Sequence, residues 1–95
     1  MSYSLEFDKR ALKEWQKLDR IVQEQFKKKL QERLLNPIVL SSKISGAENC
    51  FKIKLRSVGY RLVYQVLKKE VVVLVLSIGK RERNAVYNQA LNRVY

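Results

Sequence analysis

The sequence predicts an α+β fold of order β-α-α-β-β-β-α, with an N-terminal helical hairpin packed on a four-stranded, mainly antiparallel twisted sheet. Two observations predict it. Apolar residues recur at helical spacing between residues 9 and 35 and again after residue 82. Between them lie three apolar or alternating runs joined by connections of three residues, which only antiparallel neighbours allow.

Residues 2–7 alternate Tyr3, Leu5 and Phe7 with polar neighbours, the pattern of a short half-buried strand. Asp8 caps a first helix over 9–19, whose apolar side is Ala11, Leu12, Trp15 and Leu18. Trp15 reads as core packing. Asp19 caps a second helix with Val22, Phe26, Leu30 and Leu34 on one stripe, flanked by Ile21 and Leu35. Lys27, Lys28, Lys29 and Arg33 fall on its wet side. Asn36-Pro37 stops it, because proline disfavours the helical conformation of the residue before it. Residues 37–49 read as a loop, followed by strands over 50–56, 60–67 and 71–78. The run 71–76 is apolar without alternation, so this strand is central and covered on both faces. After Gly79 a final helix runs over 82–93, with Glu82 favourable at its N-terminal end and Val86, Ala90, Leu91 and Val94 inward.

Ninety-five residues make one domain, 1–95, and carry a formal charge of +11. Residues 1–49 contribute +3 and residues 50–95 contribute +8, the latter with only Glu70 and Glu82 as acids. A half so poor in acids fits a polyanion-binding surface; acidic proteins and anionic membranes would be attracted as well. The chain has no histidine, which excludes Ser-His and Cys-His nucleophile pairs and His-ligated metal. The one cysteine, Cys50, reads as a buried strand residue without chemistry. No signal peptide and no run long enough to span a membrane is present, so a cytoplasmic chain without membrane attachment, cofactor or metal is expected.

The strand from Cys50 to Arg56 sends Phe51, Ile53 and Leu55 one way and Lys52, Lys54 and Arg56 the other. A short hairpin sets Arg61 beside Lys52 and Lys54; Lys80, Arg81 and Arg83 leave the third strand, and Tyr87 lies one turn into the last helix. One concave surface can collect Lys52, Lys54, Arg61, Arg81 and Tyr87, a phosphate cradle with a phenol in it. An exposed sheet face with cations reaching into water accounts for the same strand pattern.

The stretches ALKEWQKL (11–18), FKIKLRSVGYRLVYQV (51–66) and SIGKRERNAVYNQA (77–90) resemble the RelE toxins of bacterial type II toxin–antitoxin systems, over nearly the whole chain. The resemblance implies a microbial-ribonuclease-like RelE fold and a metal-independent endoribonuclease that cuts the messenger RNA codon in the ribosomal A site. It assigns catalysis to Lys52, Lys54, Arg61, Arg81 and Tyr87. Partners implied are mRNA in the 70S ribosome A site, ribosomal RNA, a RelB-like antitoxin and, through that complex only, operator DNA; the free toxin is a monomer. Ribosome or RNA contacts fall to Lys27, Lys28, Lys29, Arg33, Lys43, Arg56, Lys80 and Arg83. Members often carry a basic residue two positions after the loop lysine; here Ser45 holds that position after Lys43, so the pattern departs at one auxiliary contact. The same fold includes ParE-like gyrase inhibitors, and a plain RNA-binding module is the other non-catalytic alternative.

RNA brings its own nucleophile, the 2′-hydroxyl; the enzyme must take its proton, stabilise the phosphorane and protonate the 5′-oxygen. A free tyrosine ionises near pH ~10, and cations packed round a phenol favour its phenolate. Tyr87 then serves as base, Arg81 as donor to the leaving oxygen, and Lys52, Lys54 and Arg61 as the phosphate grip, with Lys54 able to share the proton work.

Overall fold

The computed structural model describes residues 2–80 and 85–94. The chain runs β1 (Ser4–Phe7), α1 (Lys9–Gln16), α2 (Arg20–Leu35), β2 (Cys50–Leu55), β3 (Tyr60–Leu67), β4 (Val72–Lys80) and α3 (Ala85–Leu91). The order is the predicted one; a 3₁₀ turn, Leu40–Ser42, is added inside the long loop. The strands lie in the order β1-β4-β3-β2. The β2/β3 and β3/β4 pairs are antiparallel, and β1 joins β4 in parallel, with Ser4 opposite Val72 and Phe7 opposite Val75.

Both helix starts are capped as expected. Asp8 accepts from the Arg10 amide at 2.9 Å and Asp19 from the Val22 amide at 3.0 Å, satisfying donors that have no partner within the helix. The Arg10 side chain also donates to Asp8 and holds its carboxyl below the ordinary value. Asn36, extended before Pro37, closes α2. α1 stops at Gln16, three residues early, and its last turn tightens as Leu18 N–H reaches the Trp15 carbonyl. Its inward residues are Ala11, Trp15 and Leu18, at i, i+4 and i+7. Leu12, expected on that stripe, is 41% exposed because one position on a helix is a 100° turn.

The sheet is covered on both faces, and β4 is central and buried, as its unbroken apolar run predicts. On one face α1 and α2 press Ala11, Val22, Phe26 and Leu30 onto Phe51, Ile53, Leu62 and Val73. Trp15 bridges this layer, its ring 5.5 Å from Phe7 and 6.4 Å from Phe26. On the other face α3 buries Val86 and Ala90 against Cys50, Val63 and Leu76. Among the described residues no helix is long and apolar enough to cross a membrane.

Two local departures matter. Val71, predicted to open the last strand, has φ +57°, a left-handed conformation that a β-branched residue adopts only at a cost of about 1–2 kcal/mol. It closes the β3–β4 turn, and the strand starts at Val72. Val71→Asn is expected to relieve this strain, raising stability by about 1 kcal/mol and Tm by several degrees in a calorimetric scan. An unchanged Tm would count against strain.

The second departure is a bulge in β4. Tyr64 pairs with Val75 but Val63 pairs with Ser77, so Leu76 is an extra residue on the β4 side. Alternation is interrupted there. Leu76 and Ser77 both serve the α3 layer: Leu76 packs in its core, and the Ser77 hydroxyl donates to the Val86 carbonyl at 2.7 Å. The next residue facing α3 is Gly79, where a Cβ would come within 3.1 Å of Val86 Cγ2.

Candidate active site

Period-two alternation in β2 puts Phe51, Ile53 and Leu55 into the α1/α2 layer and leaves Lys52 and Lys54 half-buried on the opposite side. Hairpin register then sets Arg61 of β3 directly opposite Lys54, and Val63 opposite Lys52. Tyr87 is the third residue of α3. Arg61 Nη1 donates to Tyr87 Oη at 2.5 Å, with its guanidinium carbon 5.5 Å from the ring centre. Lys52 Nζ lies 5.9 Å from the same ring centre, within cation–π range. Because Arg61 donates, a lone pair of Oη faces the guanidinium and the phenolic proton is directed elsewhere. Among the described residues no carboxylate forms an ion pair with Lys52 or Arg61.

Three basins meet around Lys54. A cleft of about 300 Å³ is lined by Lys54, Leu55, Arg56, Gly59, Tyr60 and Arg61. A second, of about 370 Å³, opens between Lys52, Lys54 and Arg56 and the Ser41–Ser42 loop. The third, of about 510 Å³, continues to Lys28 and Lys29 on α2. Together they place Lys28, Lys29, Lys52, Lys54, Arg56 and Arg61 along neighbouring basins beside β2, a cationic track of the kind that follows a nucleic-acid backbone.

Of the residues singled out from sequence, Lys52, Lys54, Arg61 and Tyr87 are brought together. Arg81 and Arg83, with Glu82, lie outside the described residues. Lys28, Lys29 and Arg56 border the track. Lys27 turns the other way, pairing with Glu24 at 3.6 Å and lining an apolar groove beside Leu5 and Trp15. Lys43 is exposed and bridges to Phe51 through its backbone; Lys80 is exposed at the end of β4.

Arg33 is not on the wet side of α2. Its guanidinium turns inward, donating to the Lys52 carbonyl at 3.2 Å, to Tyr64 Oη at 2.8 Å and to Ser42 Oγ at 3.2 Å. Tyr64 is fully buried, stacks on Phe51 and donates onward to the Pro37 carbonyl at 2.8 Å. Burial pushes its phenol above the ordinary value, partly offset by Arg33. This network ties α2, the loop and β3 to the backbone of Lys52. A charged residue on a mostly polar helix gives no sequence sign of such a role.

Glu14, Ser77 and Arg93 also make structural bonds that the sequence pattern does not predict. Ser77 did leave a signal, a hydroxyl in the middle of the apolar run VVVLVLSIG. Cys50 is buried and its thiol is pushed up to about 11 by desolvation. Native protein is therefore expected to resist alkylation at neutral pH and to react fully once unfolded, as read by mass spectrometry; fast labelling of the native form would contradict that burial.

A family profile described as "ParE toxin of type II toxin-antitoxin system, parDE" matches residues 5–85. The chain is 57% identical over 94 residues to the mRNA interferase toxin RelE of Escherichia coli K12, covering 99% of both chains, and equally to mRNA interferase RelE of Shigella flexneri. Its structure superposes on a free double arginine-to-alanine mutant of E. coli RelE with a TM-score of 0.92 at 55% identity, covering all of both chains. The intact E. coli RelBE toxin–antitoxin complex matches with a TM-score of 0.83 at 58% identity, over 86% of this chain and 100% of that one.

Proposed function

Since the chain belongs to the RelE/ParE family of type II toxin–antitoxin toxins, we propose that it is the toxin of such a pair, an mRNA endoribonuclease acting on the ribosomal A site. The observation that carries the reading is the Arg61–Tyr87 hydrogen bond, with Lys52 over the same ring. A module that only binds RNA needs cations but no phenol held among them. The family profile bears the ParE name, but the whole-chain likeness is to RelE mRNA interferases.

In this mechanism Tyr87 Oη, as phenolate, takes the proton of the 2′-hydroxyl beside the scissile phosphate. The 2′-oxygen attacks phosphorus, the bond to the 5′-oxygen breaks, and that oxygen leaves with a proton supplied by Arg81 or Lys54. The products are a 2′,3′-cyclic phosphate and a 5′-hydroxyl. A phenolate at Tyr87 would sit against the Arg61 cation, in a charge-assisted hydrogen bond. Lys52, Lys54 and Arg61 hold the equatorial oxygens as charge develops. A guanidinium gives up a proton reluctantly, so the part of Arg81 is mainly electrostatic.

Without a histidine to move protons, much of the rate is left to positioning, a term worth several kcal/mol or more, ~7–11 kcal/mol at best. The ribosome supplies it by fixing the message in the A site. Lys28, Lys29 and Arg56, with Lys43, Lys80 and Arg83, would meet ribosomal phosphates without reading sequence. Lys27 borders the opposite groove and Arg33 is engaged inside, which makes both poor phosphate contacts. The toxin works in the cytoplasm as one domain, 1–95, monomeric when free. Its antitoxin is RelB-like, with acidic and apolar residues to cover the cationic face, and operator DNA is reached only through that complex.

The test supplies purified protein with programmed ribosomes holding an empty A site and maps the message ends. Cleavage inside the A-site codon is expected, with naked RNA cut far more slowly. No A-site cut sinks the proposal, and equal rates on naked RNA remove the ribosome from it. Inhibition of gyrase supercoiling instead would assign the chain to the other branch of the fold.

A further inference from the structure

We propose that Glu14, Arg93 and Ser77 form a clasp, centred on the Leu76 bulge, that positions Tyr87 for the reaction. The inference rests on the proposed role of Tyr87 and goes beyond it. The last backbone bond between the β1 end and β4 is Asp8 N–H to the Val75 carbonyl. Beyond it the next backbone groups of β4 are taken by side chains instead of a strand. Glu14 Oε1 accepts from the Ile78 amide at 3.0 Å, and Arg93 Nη1 donates to the Leu76 carbonyl at 2.8 Å. Glu14 and Arg93 also join each other by two bonds, 3.0 and 3.2 Å, with the Arg93 side chain only 10% exposed. An ion pair thus continues the β1 edge where the strand has run out.

The ion pair is more than an edge cover because of where Arg93 sits. The seven described residues of α3 make about two helical turns, too few to hold their conformation without packing. Its position is set from outside. Near its start the Ser77 hydroxyl grips the carbonyl of Val86, the residue before Tyr87. Just past its end Arg93 ties the chain to α1 and to the bulge. Val86 and Ala90 sit between these two points in the second core. Tyr87 rides on the span between the anchors, and its oxygen meets Arg61 from β3. The bulge serves both anchors: it turns Ser77 toward α3 and presents the Leu76 carbonyl to Arg93. Releasing either end lets the helix shift, and a displacement of ~1 Å at a reacting atom costs about 10²-fold in rate.

The test uses the full-length protein with Arg93→Gln, Arg93→Lys and Ser77→Ala, each also in a Tyr87→Phe background. Arg93→Gln is expected to slow single-turnover A-site cleavage by about tenfold, with ribosome affinity within about twofold, a coupling of ordinary size for groups acting through one another. Arg93→Lys, which keeps one donor and the charge, restores most of the rate. In the Tyr87→Phe background the same changes bring no further slowing. A wild-type rate for Arg93→Gln, or equal slowing in both backgrounds, overturns the proposal. A readout independent of cleavage is the NMR signal of the Tyr87 ring, together with hydrogen exchange of the α3 amides in the free protein. Both move in Arg93→Gln and stay in Lys69→Gln; an unmoved Tyr87 signal overturns the clasp. If the wild-type protein cuts no message, the proposed function fails, and this second readout alone decides the clasp.

Discussion

Tyr87→Phe is expected to lower the single-turnover rate of message cleavage by about 10²–10⁴-fold, the usual worth of a positioned proton-transfer group. The substitution is informative because so little else changes. The ring stays within cation–π range of Lys52 and Arg61, and α3 keeps Val86 and Ala90 in the core. What disappears is one oxygen, the acceptor of the Arg61 bond. Ribosome affinity, proposed to come from Lys28, Lys29, Arg56 and other exposed cations and not from the phenol, is expected to hold within about twofold. Rapid-quench kinetics at saturating ribosomes separates the two quantities. A near-wild-type rate would reassign the base, with Lys54 next in reach; a large loss of affinity would make Tyr87 a binding residue instead.

Arg33→Ala is expected to destabilise the protein by about 2–3 kcal/mol, the range for losing hydrogen bonds to a charged group in a partly buried setting. Three bonds go at once, to Lys52, Tyr64 and Ser42. Tyr64 keeps Pro37 as its acceptor but loses its donor, and the Lys52 carbonyl is left to whatever water can reach it. Urea unfolding measures the change, and Tyr64→Phe completes a double-mutant cycle. Non-additive losses are expected, since the two side chains share a bond. A loss below about 0.5 kcal/mol would return Arg33 to an ordinary surface charge. Tyr64 adds a pH signature. Its folded phenol is raised by burial above the ordinary 10.0, so its contribution is whole below that value. Stability falls as pH rises from there through the folded value, because the unfolded chain ionises first. Without Arg33, whose charge lowers the phenol, that alkaline fall sets in over a wider pH window.

Much of this is legible in the sequence. FKIKLR advertises its two faces because cation and apolar residue alternate with the pleat, and a three-residue connection then forces Arg61 to the same side. Asp8, Asp19 and Pro37 mark helix ends because capping and proline chemistry are local. The Leu76 bulge was illegible, since a run of Val and Leu looks the same with one residue more or fewer on a face. Arg33 was misplaced because a helical position only says which way a residue starts, and a long side chain can return inward. Glu14 and Arg93 lie 79 residues apart, and only the tertiary fold brings them within bonding distance.

The parallel pairing of Ser4–Phe7 with Val72–Val75 has a consequence for biosynthesis. The central strand is the last strand of the sheet to be made, and the first strand waits for it. Contacts this distant in sequence form late and together. A nascent chain that lacks β4 has neither a closed sheet nor a seat for α3, hence no assembled Tyr87–Arg61 pair. If Tyr87 and Arg61 act as proposed, the translating ribosome meets no assembled site until synthesis is almost finished, and truncated chains are expected to be inert fragments and not weak toxins.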